Sequence, residues 1–317
     1  MRTLVYVVTL NWNRREDTLE CLASLESMTY HNHRILVVDN HSIDGSVRAI
    51  AEHHPEVELI RCSENRGFAR AANEGIRHAL SQGAEYVLLV NNDTIVDPRL
   101  LDELLAEAES PEIGIVAPKI YYYAEPRRIW SVGARRNPIT LEQHKGGGRE
   151  LDEGQWDRVL AVDFVTGCGL LLTRRFLEDV GLFDERFFMY YEDSDLSLRA
   201  SKHGYRLVMT PRARMWHKVS VSSGGRDSPF ERYWMGRSSV LFFRKHVQGW
   251  RWLIVLPYRT VSAAKTLMRL ALGGQWAAAA AYLHGLRDGL CDGRGQAVLG
   301  SPDARSADRV ERQSGTT

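Results

Sequence analysis

Short, unbroken apolar runs and longer stretches with helical spacing take turns along the first third of the chain. "TLVYVVTLN" (Thr3 to Asn11) is β-branched and apolar without polar alternation, the pattern of a strand covered on both faces in a parallel sheet. "EDTLECLASLESM" then places Leu19, Leu22, Ala23 and Leu25 on helical spacing. The pair of patterns recurs as "RILVVDN" and "DGSVRAIAEHH", as "VELIRC" and "GFARAANEGIRHALSQG" closing on Gly83, and as "EYVLLVNND" and "PRLLDELLAEAES" with Pro98 near its first turn. With "IGIVAPKIYYY" after them, this alternation over Thr3 to Tyr123 predicts a doubly wound α/β half that binds its ligand at the carboxyl ends of the strands.

Further along the pattern changes. Gly and charge dominate "HKGGGRELDEG", which marks the stretch Ala124 to Val159 as a mobile surface loop. "VDFVTGCGLLLTRR" reads as a buried strand whose Gly167 and Gly169 allow close approach to a ligand. "DLSLRASKHG" reads as a short helix ending at Gly204 and "YRLVMTP" as a strand, so Glu192 and Asp193 fall at or just before a helix N-terminus. "FERYWMGRSSVLFFRKH" is a helix mixing aromatic and basic residues. In the apolar segment that follows, Pro257, Arg259, Lys265 and Arg269 interrupt too often for a membrane-spanning helix. Tryptophans among Arg, Lys and apolar residues suit an interfacial helix in peripheral membrane contact; a packed appendage or a homodimer interface suits them equally. The tail from Asp292 onward has a disordered composition.

Composition narrows the classes. A chain of 317 residues with 44% hydrophobic content builds one large domain or two. Its 41 basic and 40 acidic residues nearly cancel, so no global charge recruits nucleic acid. Cys21, Cys62, Cys168 and Cys291 form no CxxC pair, which excludes a zinc ribbon and fits reduced thiols. The first apolar run stops at Asn11 without a cleavage site, so a cytoplasmic location is expected.

Polar residues collect where the strands end: Thr9, Asn11 and Asn13 after the first, Asp39 and Asn40 after the second, Asn91, Asn92 and Asp93 after the fourth. Asp and Asn at such places also make turns and caps, but three strand ends in register describe one crevice. Neither GxGxxG nor GxxxxGK[ST] occurs in "LNWNRRED", so no glycine nest holds phosphate there. What remains is a carboxylate, Asp39, suited to hydrogen bonds from a base or ribose, and another, Asp93, suited to a divalent metal on a diphosphate. That combination fits a sugar nucleotide. The three acids Glu192, Asp193 and Asp195, set beside the aromatics of "FFMYYEDSDLSLR", exceed what one helix cap needs.

"VVTLNWNRREDTLECLASL", "VVDNHSIDGS", "NRGFARAANEGI", "VLLVNNDT", "VTGCGLLLTRR", "GLFDERFFMYYEDSDLSLRASKHGYR" and "WHKVSVSSG" appear in the order of the motifs of inverting family 2 glycosyltransferases with a GT-A fold. The chain resembles the bacterial rhamnosyltransferase-like branch of that family over Leu4 to His246. The resemblance implies an α/β GT-A domain over 1–246, with a donor half to 123, an acceptor half over 162–224 and a helical region over 247–291. It implies that Asp39 contacts the base or ribose beside Thr9 and Asn11, and that Asp93 closes a DxD-type motif whose first position is here Asn91. His217 matches a position that completes the shell of a Mg²⁺ or Mn²⁺ ion, and Asp193 matches the general base of the xED motif, with Glu192 orienting the acceptor or base. Arg237, in the aromatic and basic helix, is a candidate for holding donor phosphate. The implied reaction moves a sugar, rhamnose by branch, from a nucleoside diphosphate donor to a hydroxyl of a glycan or lipid-linked acceptor in polysaccharide synthesis. A sugar-nucleotide-binding protein without turnover, and a hydrolase that uses water as acceptor, fit the same crevice.

Overall fold

The computed structural model describes residues 3–219 and 227–291. Strands β1 (Val5–Asn11), β2 (His33–Asp39), β3 (Glu58–Arg61) and β4 (Tyr86–Asn91) alternate with helices α1 (Arg15–Glu26), α2 (Ser46–His53) and α3 (Gly67–Ser81), as the hydrophobic pattern predicts. A short strand the pattern did not show, β5 (Thr94–Val96), precedes α4 (Leu100–Ala108) and β6 (Ile113–Tyr122). Then come β7 (Ile129–Ser131), β8 (Ala134–Arg136), β9 (Gln143–Lys145), β10 (Leu160–Val162), β11 (Gly169–Thr173), α5 (Arg174–Val180), α6 (Glu192–Lys202) and β12 (Arg206–His217). Helices α7 (Pro229–His246), α8 (Trp252–Leu272) and α9 (Trp276–Cys291) complete the described chain.

The main sheet runs β10-β12-β6-β11-β4-β1-β2-β3. Its first four strands in sequence are mutually parallel, whereas β11 lies antiparallel between β4 and β6, which makes the sheet mixed. Alternate residues of each strand face opposite sides. Val5 and Val7 pack with Leu22 and Leu25 of α1 and with Leu100 and Leu104 of α4, while Tyr6 and Val8 pack with Ala72 and Ile76 of α3. Because both faces are covered, the central strands need no polar alternation, and this is why they read as continuous apolar runs. α3 approaches closely: a Cβ on Gly75 would lie 2.5 Å from Val8 Cγ1.

Three expectations are corrected. The stretch 124–159 is pinned rather than mobile: it contributes β7, β8 and β9, and its Asp152 and Asp157 pair at 2.6 and 2.8 Å with the fully buried Nζ of Lys119 on β6. The strand begun by "YRLVMTP" does not stop at Pro211 but continues, through a register shift between Thr210 and Arg214, to His217. The strand read over "VDFVTGCGLLLTRR" starts only at Gly169, and Gly169 faces Met215 Sδ and Pro118, so it is a packing glycine and not a ligand contact.

α7 joins the sheet domain to the last helices. Lys245 Nζ and His246 Nε2 reach Asp195 Oδ1 of α6 at 2.6 and 2.7 Å, and Ser238 Oγ donates to the Met189 carbonyl. On its other side α7 meets α9 backbone to backbone: a Cβ on Gly285 would sit 2.0 Å from the Tyr233 carbonyl oxygen, and one on Gly236 2.7 Å from that of Tyr282. α8 stays helical through Pro257, and no helix among the described residues is long and apolar enough to cross a membrane. The tail from Asp292, and the part of the expected acceptor half from Ser220 onward to Gly224, lie outside the described residues.

Candidate active site

The strand ends form one braced rim. Asn11 and Asp39 are register partners of β1 and β2, and Asn11 Nδ2 donates to Asp39 Oδ1 at 2.7 Å. Asn11 Oδ1 accepts from Thr18 Oγ1 of α1 at 2.8 Å and from Asn92 Nδ2 at 3.3 Å. One carboxamide thereby ties together the ends of β1 and β2, the start of α1 and the turn after β4. Such buried networks hold a unique geometry when every member is satisfied.

A crevice of about 590 Å³ opens beside this rim, within the size range of ligand sites. Asn11, Asn91, Asn92 and Asp93 line it from the strand ends. His217, Glu192 and Asp193 line it from the end of β12 and the start of α6. Thr9, Asn13, Asp39 and Arg237 do not. Thr9 is fully buried in β1, and its hydroxyl has no hydrogen-bond partner. Asn13 has a left-handed φ of 51° and uses Oδ1 to accept from Ile43 N, fixing the loop after β2. Asp39 stands behind Asn11, its second oxygen accepting from Ser42 N at 3.0 Å. Arg237 is turned elsewhere: its guanidinium donates to the Arg186 carbonyl at 2.9 Å and lies 5.3 Å from the centre of the Trp234 ring.

Asp93 and His217 meet because β12 runs on beyond the predicted strand and pairs antiparallel with β5, setting His217 opposite Thr94. His217 Nε2 lies 3.1 Å from Asp93 Oδ1, with both side chains buried. Burial opposes charge on the imidazole, but contacts with Cys168 and with the Asp93 carboxylate outweigh it and raise its pKa to about 10. Trp130 packs edge-on against the ring at 4.6 Å and fixes its plane. One carboxylate oxygen and one imidazole nitrogen converge in the crevice, and a divalent cation fits between them by taking the place of the imidazole proton, which its binding would release. Among the described residues no group of three His, Cys, Asp or Glu side chains forms a cation cage, so the rest of a shell falls to ligand oxygens and water.

The acidic cluster sits at the start of α6, where Tyr190 and Tyr191 both have left-handed φ angles, 65° and 68°. For bulky residues such angles cost about 1–3 kcal/mol each and persist where surrounding structure imposes them. The double turn delivers Glu192 and Asp193 to the crevice on the first turn of the helix. Asp193 Oδ1 accepts from Ser194 N at 2.7 Å and Oδ2 from Gly167 N at 3.2 Å, which aims the carboxylate with backbone donors. Glu192 is buried and its Oε2 has no partner; burial, then the adjacent Asp193 charge, raises its pKa well above the usual carboxyl range. The third acid points away from the crevice. Asp195 is fully buried and is held by Arg199 Nε at 2.8 Å as well as by Lys245 and His246.

Several crevice residues escaped the sequence reading. Arg14 lines it from the turn after β1, and its place in "LNWNRRED" carries no motif that marks it. Leu141, Glu142 and Gln143 line it from the stretch taken for a mobile loop, and Gln143 Nε2 donates to Ser194 Oγ at 2.9 Å. Arg259 reaches the crevice from α8, its guanidinium 4.5 Å from the centre of the Phe243 ring. In the sequence it is only a charge that interrupts a spanning helix.

Comparison with known proteins identifies the family and the fold. Residues 6–180 match the model of the family described as glycosyl transferase family 2. The chain is 28% identical over 271 residues to the N-acetylglucosaminyl-diphospho-decaprenol L-rhamnosyltransferase of Mycobacterium tuberculosis, covering 79% of this chain and 87% of that protein. It is 26% identical over 259 residues to the dTDP-rhamnosyl transferase RfbF of Shigella flexneri, covering 78% and 82%. Among solved structures it is similar to the mannosyltransferase PcManGT from Pyrobaculum calidifontis in complex with GDP-Man and Mn²⁺, with a TM-score of 0.56 at 20% identity over 99% of this chain and 80% of that one. It is also similar to GalNAc-T7 with UDP, GalNAc and Mn²⁺, with a TM-score of 0.59 at 15% identity over 76% and 50%. These likenesses bear out the GT-A fold.

Proposed function

Since the chain belongs to glycosyl transferase family 2 and is a glycosyltransferase, we propose that it transfers rhamnose from a nucleoside diphosphate donor, with inversion, to a hydroxyl of a lipid-linked glycan. The observation that carries this reading is that Asp193 and the Asp93–His217 pair line the same crevice. The names of the M. tuberculosis and S. flexneri relatives support the sugar, and that of the first supports the acceptor.

In this reading the donor's base and ribose lie along Asn11 and Asn40, with Asp39 holding Asn11 in position. Asp93, and His217 once its imidazole has given up its proton, would hold a Mg²⁺ or Mn²⁺ ion at the diphosphate. The ion supplies Lewis-acid stabilisation of the charge that develops on the leaving oxygens. Asp193 accepts the proton of the acceptor hydroxyl. The hydroxyl oxygen bonds to the anomeric carbon from the face opposite the diphosphate, which departs with the electron pair of the broken bond, so the configuration inverts. Glu192, whose pKa is raised by burial and by the Asp193 charge, lines the crevice beside Asp193 and orients the acceptor.

The test is product analysis with dTDP-rhamnose and a polyprenyl-diphospho-N-acetylglucosamine acceptor, with Mn²⁺ and with chelator. Acceptor-dependent, chelator-sensitive formation of a rhamnosylated product is expected. Free rhamnose formed equally with and without acceptor would make the protein a hydrolase, and tight donor binding with no product would make it a binding protein.

A further inference from the structure

α8 has two working faces. Arg259 looks inward to the crevice. On the opposite side Leu253, Pro257, Val261, Ala264, Met268 and Leu272 recur every three or four residues and form one exposed stripe. Leu253 and Leu272 are 80% and 83% exposed, and Trp250 and Trp276, just beyond the two ends of the helix, are 64% and 69% exposed. Single exposed apolar residues are ordinary on a protein surface, whereas a continuous stripe marks a contact.

Charge selects the occupant. The chain as a whole is balanced, yet from Val247 to Arg287 it carries no Asp or Glu; of the five basic residues there Arg259 faces the crevice and Arg269 is paired with Asp227, which leaves the charges of Arg251, Lys265 and Arg287. A second copy meeting this face through a two-fold axis would bring like charges together. An anionic bilayer surface is matched by the same charges, by an apolar stripe that enters the acyl boundary and by tryptophans at head-group depth. Since no described helix suits a crossing, α8 would lie in the plane of the surface.

We propose that α8 docks the protein on an anionic membrane through this stripe, bringing the crevice wall that bears Arg259 to the lipid head groups. Its use, presenting a lipid-linked acceptor, rests on the proposed function above. The experiment is flotation with vesicles of phosphatidylcholine alone or mixed with phosphatidylglycerol, in low and high salt, without donor or acceptor. The wild type is expected to float with the mixed vesicles and to bind at least about tenfold less to phosphatidylcholine alone or in high salt. Val261→Glu and Met268→Glu are expected to lose at least about tenfold in vesicle binding while melting normally and keeping the donor-induced thermal shift. Failure of the wild type to bind mixed vesicles, or undiminished binding by both variants, overturns the proposal. So does a dimer, seen by light scattering, that Val261→Glu splits. Because the readout needs no turnover, intact vesicle binding with no sugar transfer refutes the transfer reading alone, and transfer without vesicle binding refutes the docking alone.

Discussion

His217 and Asp93 stand across an antiparallel strand pair, with Nε2 3.1 Å from Oδ1, although 124 positions separate them in the chain (217 less 93). If this pair holds the donor's cation, removing either side chain removes one of the protein's two ligands. Asp93→Asn and His217→Ala should each lower the Mn²⁺-dependent part of the thermal shift produced by a nucleoside diphosphate, with the metal-free shift retained. A metal-dependent shift equal to that of the wild type in both variants would remove the pair from the site.

Asp193→Asn leaves the shape of the crevice intact and removes the proton acceptor. Transfer should fall by about 10² to 10⁴-fold, the usual worth of a positioned base. Donor-induced stabilisation should persist, because a ligand that binds only the folded state raises its melting temperature whether or not it reacts. Wild-type turnover by this variant would exclude Asp193 as the base.

Glu192 predicts a pH signature in stability. Its folded pKa is raised by burial and the Asp193 charge, so above the unfolded value of about 4.3 the unfolded chain releases a proton that the folded protein keeps. Stability attributable to this group therefore falls as pH rises. Glu192→Gln should melt close to the wild type near pH 4 and gain on it steadily toward neutrality. A constant difference across that range would show that Glu192 ionises normally.

Asp195 predicts the opposite slope. Burial raises its pKa, but His246, Arg199 and Lys245 outweigh burial and leave it lowered. Its contribution is present above the unfolded value of about 3.9 and is lost as pH falls through the folded one. At neutral pH Asp195→Ala strands the facing cations and should cost about 3–5 kcal/mol in urea unfolding, with the gap narrowing in acid. A variant as stable as the wild type at pH 7 would mean that the α6–α7 joint does not depend on this carboxylate.

Legibility in the sequence followed the range of the forces involved. The alternation of β1 to α4 was readable because each apolar run reports its own burial on both faces of the sheet. Asp93 stands out because polar strand ends fall in register, Asp193 because carboxylates beside apolar residues demand compensation, and the roles of both follow from the family resemblance. The strand that carries His217 was cut short because Pro211 and the three arginines of "PRARMWH" and the preceding residues, Arg206, Arg212 and Arg214, look like a loop; only pairing with β5 and β6 makes them a strand. Arg237 and Arg259 exchanged places for a similar reason. Both lie in basic, aromatic helices, and only the packing of α7 between α6 and α9 turns the first away from the crevice, while the fold of α8 turns the second toward it. The left-handed turn at Tyr190 and Tyr191 had no local signal, since neither residue favours that conformation.

Lys119 locks the stretch between β9 and β10 to the sheet. Its ammonium is fully buried, and its counter-charges, Asp152 and Asp157, both come from the stretch between β9 and β10. Peeling that stretch away would leave an uncompensated charge in the interior at about 3–5 kcal/mol, so at most about one molecule in a hundred would be open at any moment. The stretch is bonded to Ile129 of β7 through Arg149 N and the Glu150 carbonyl, so an ion pair outside the crevice holds the strand whose Trp130 packs on His217.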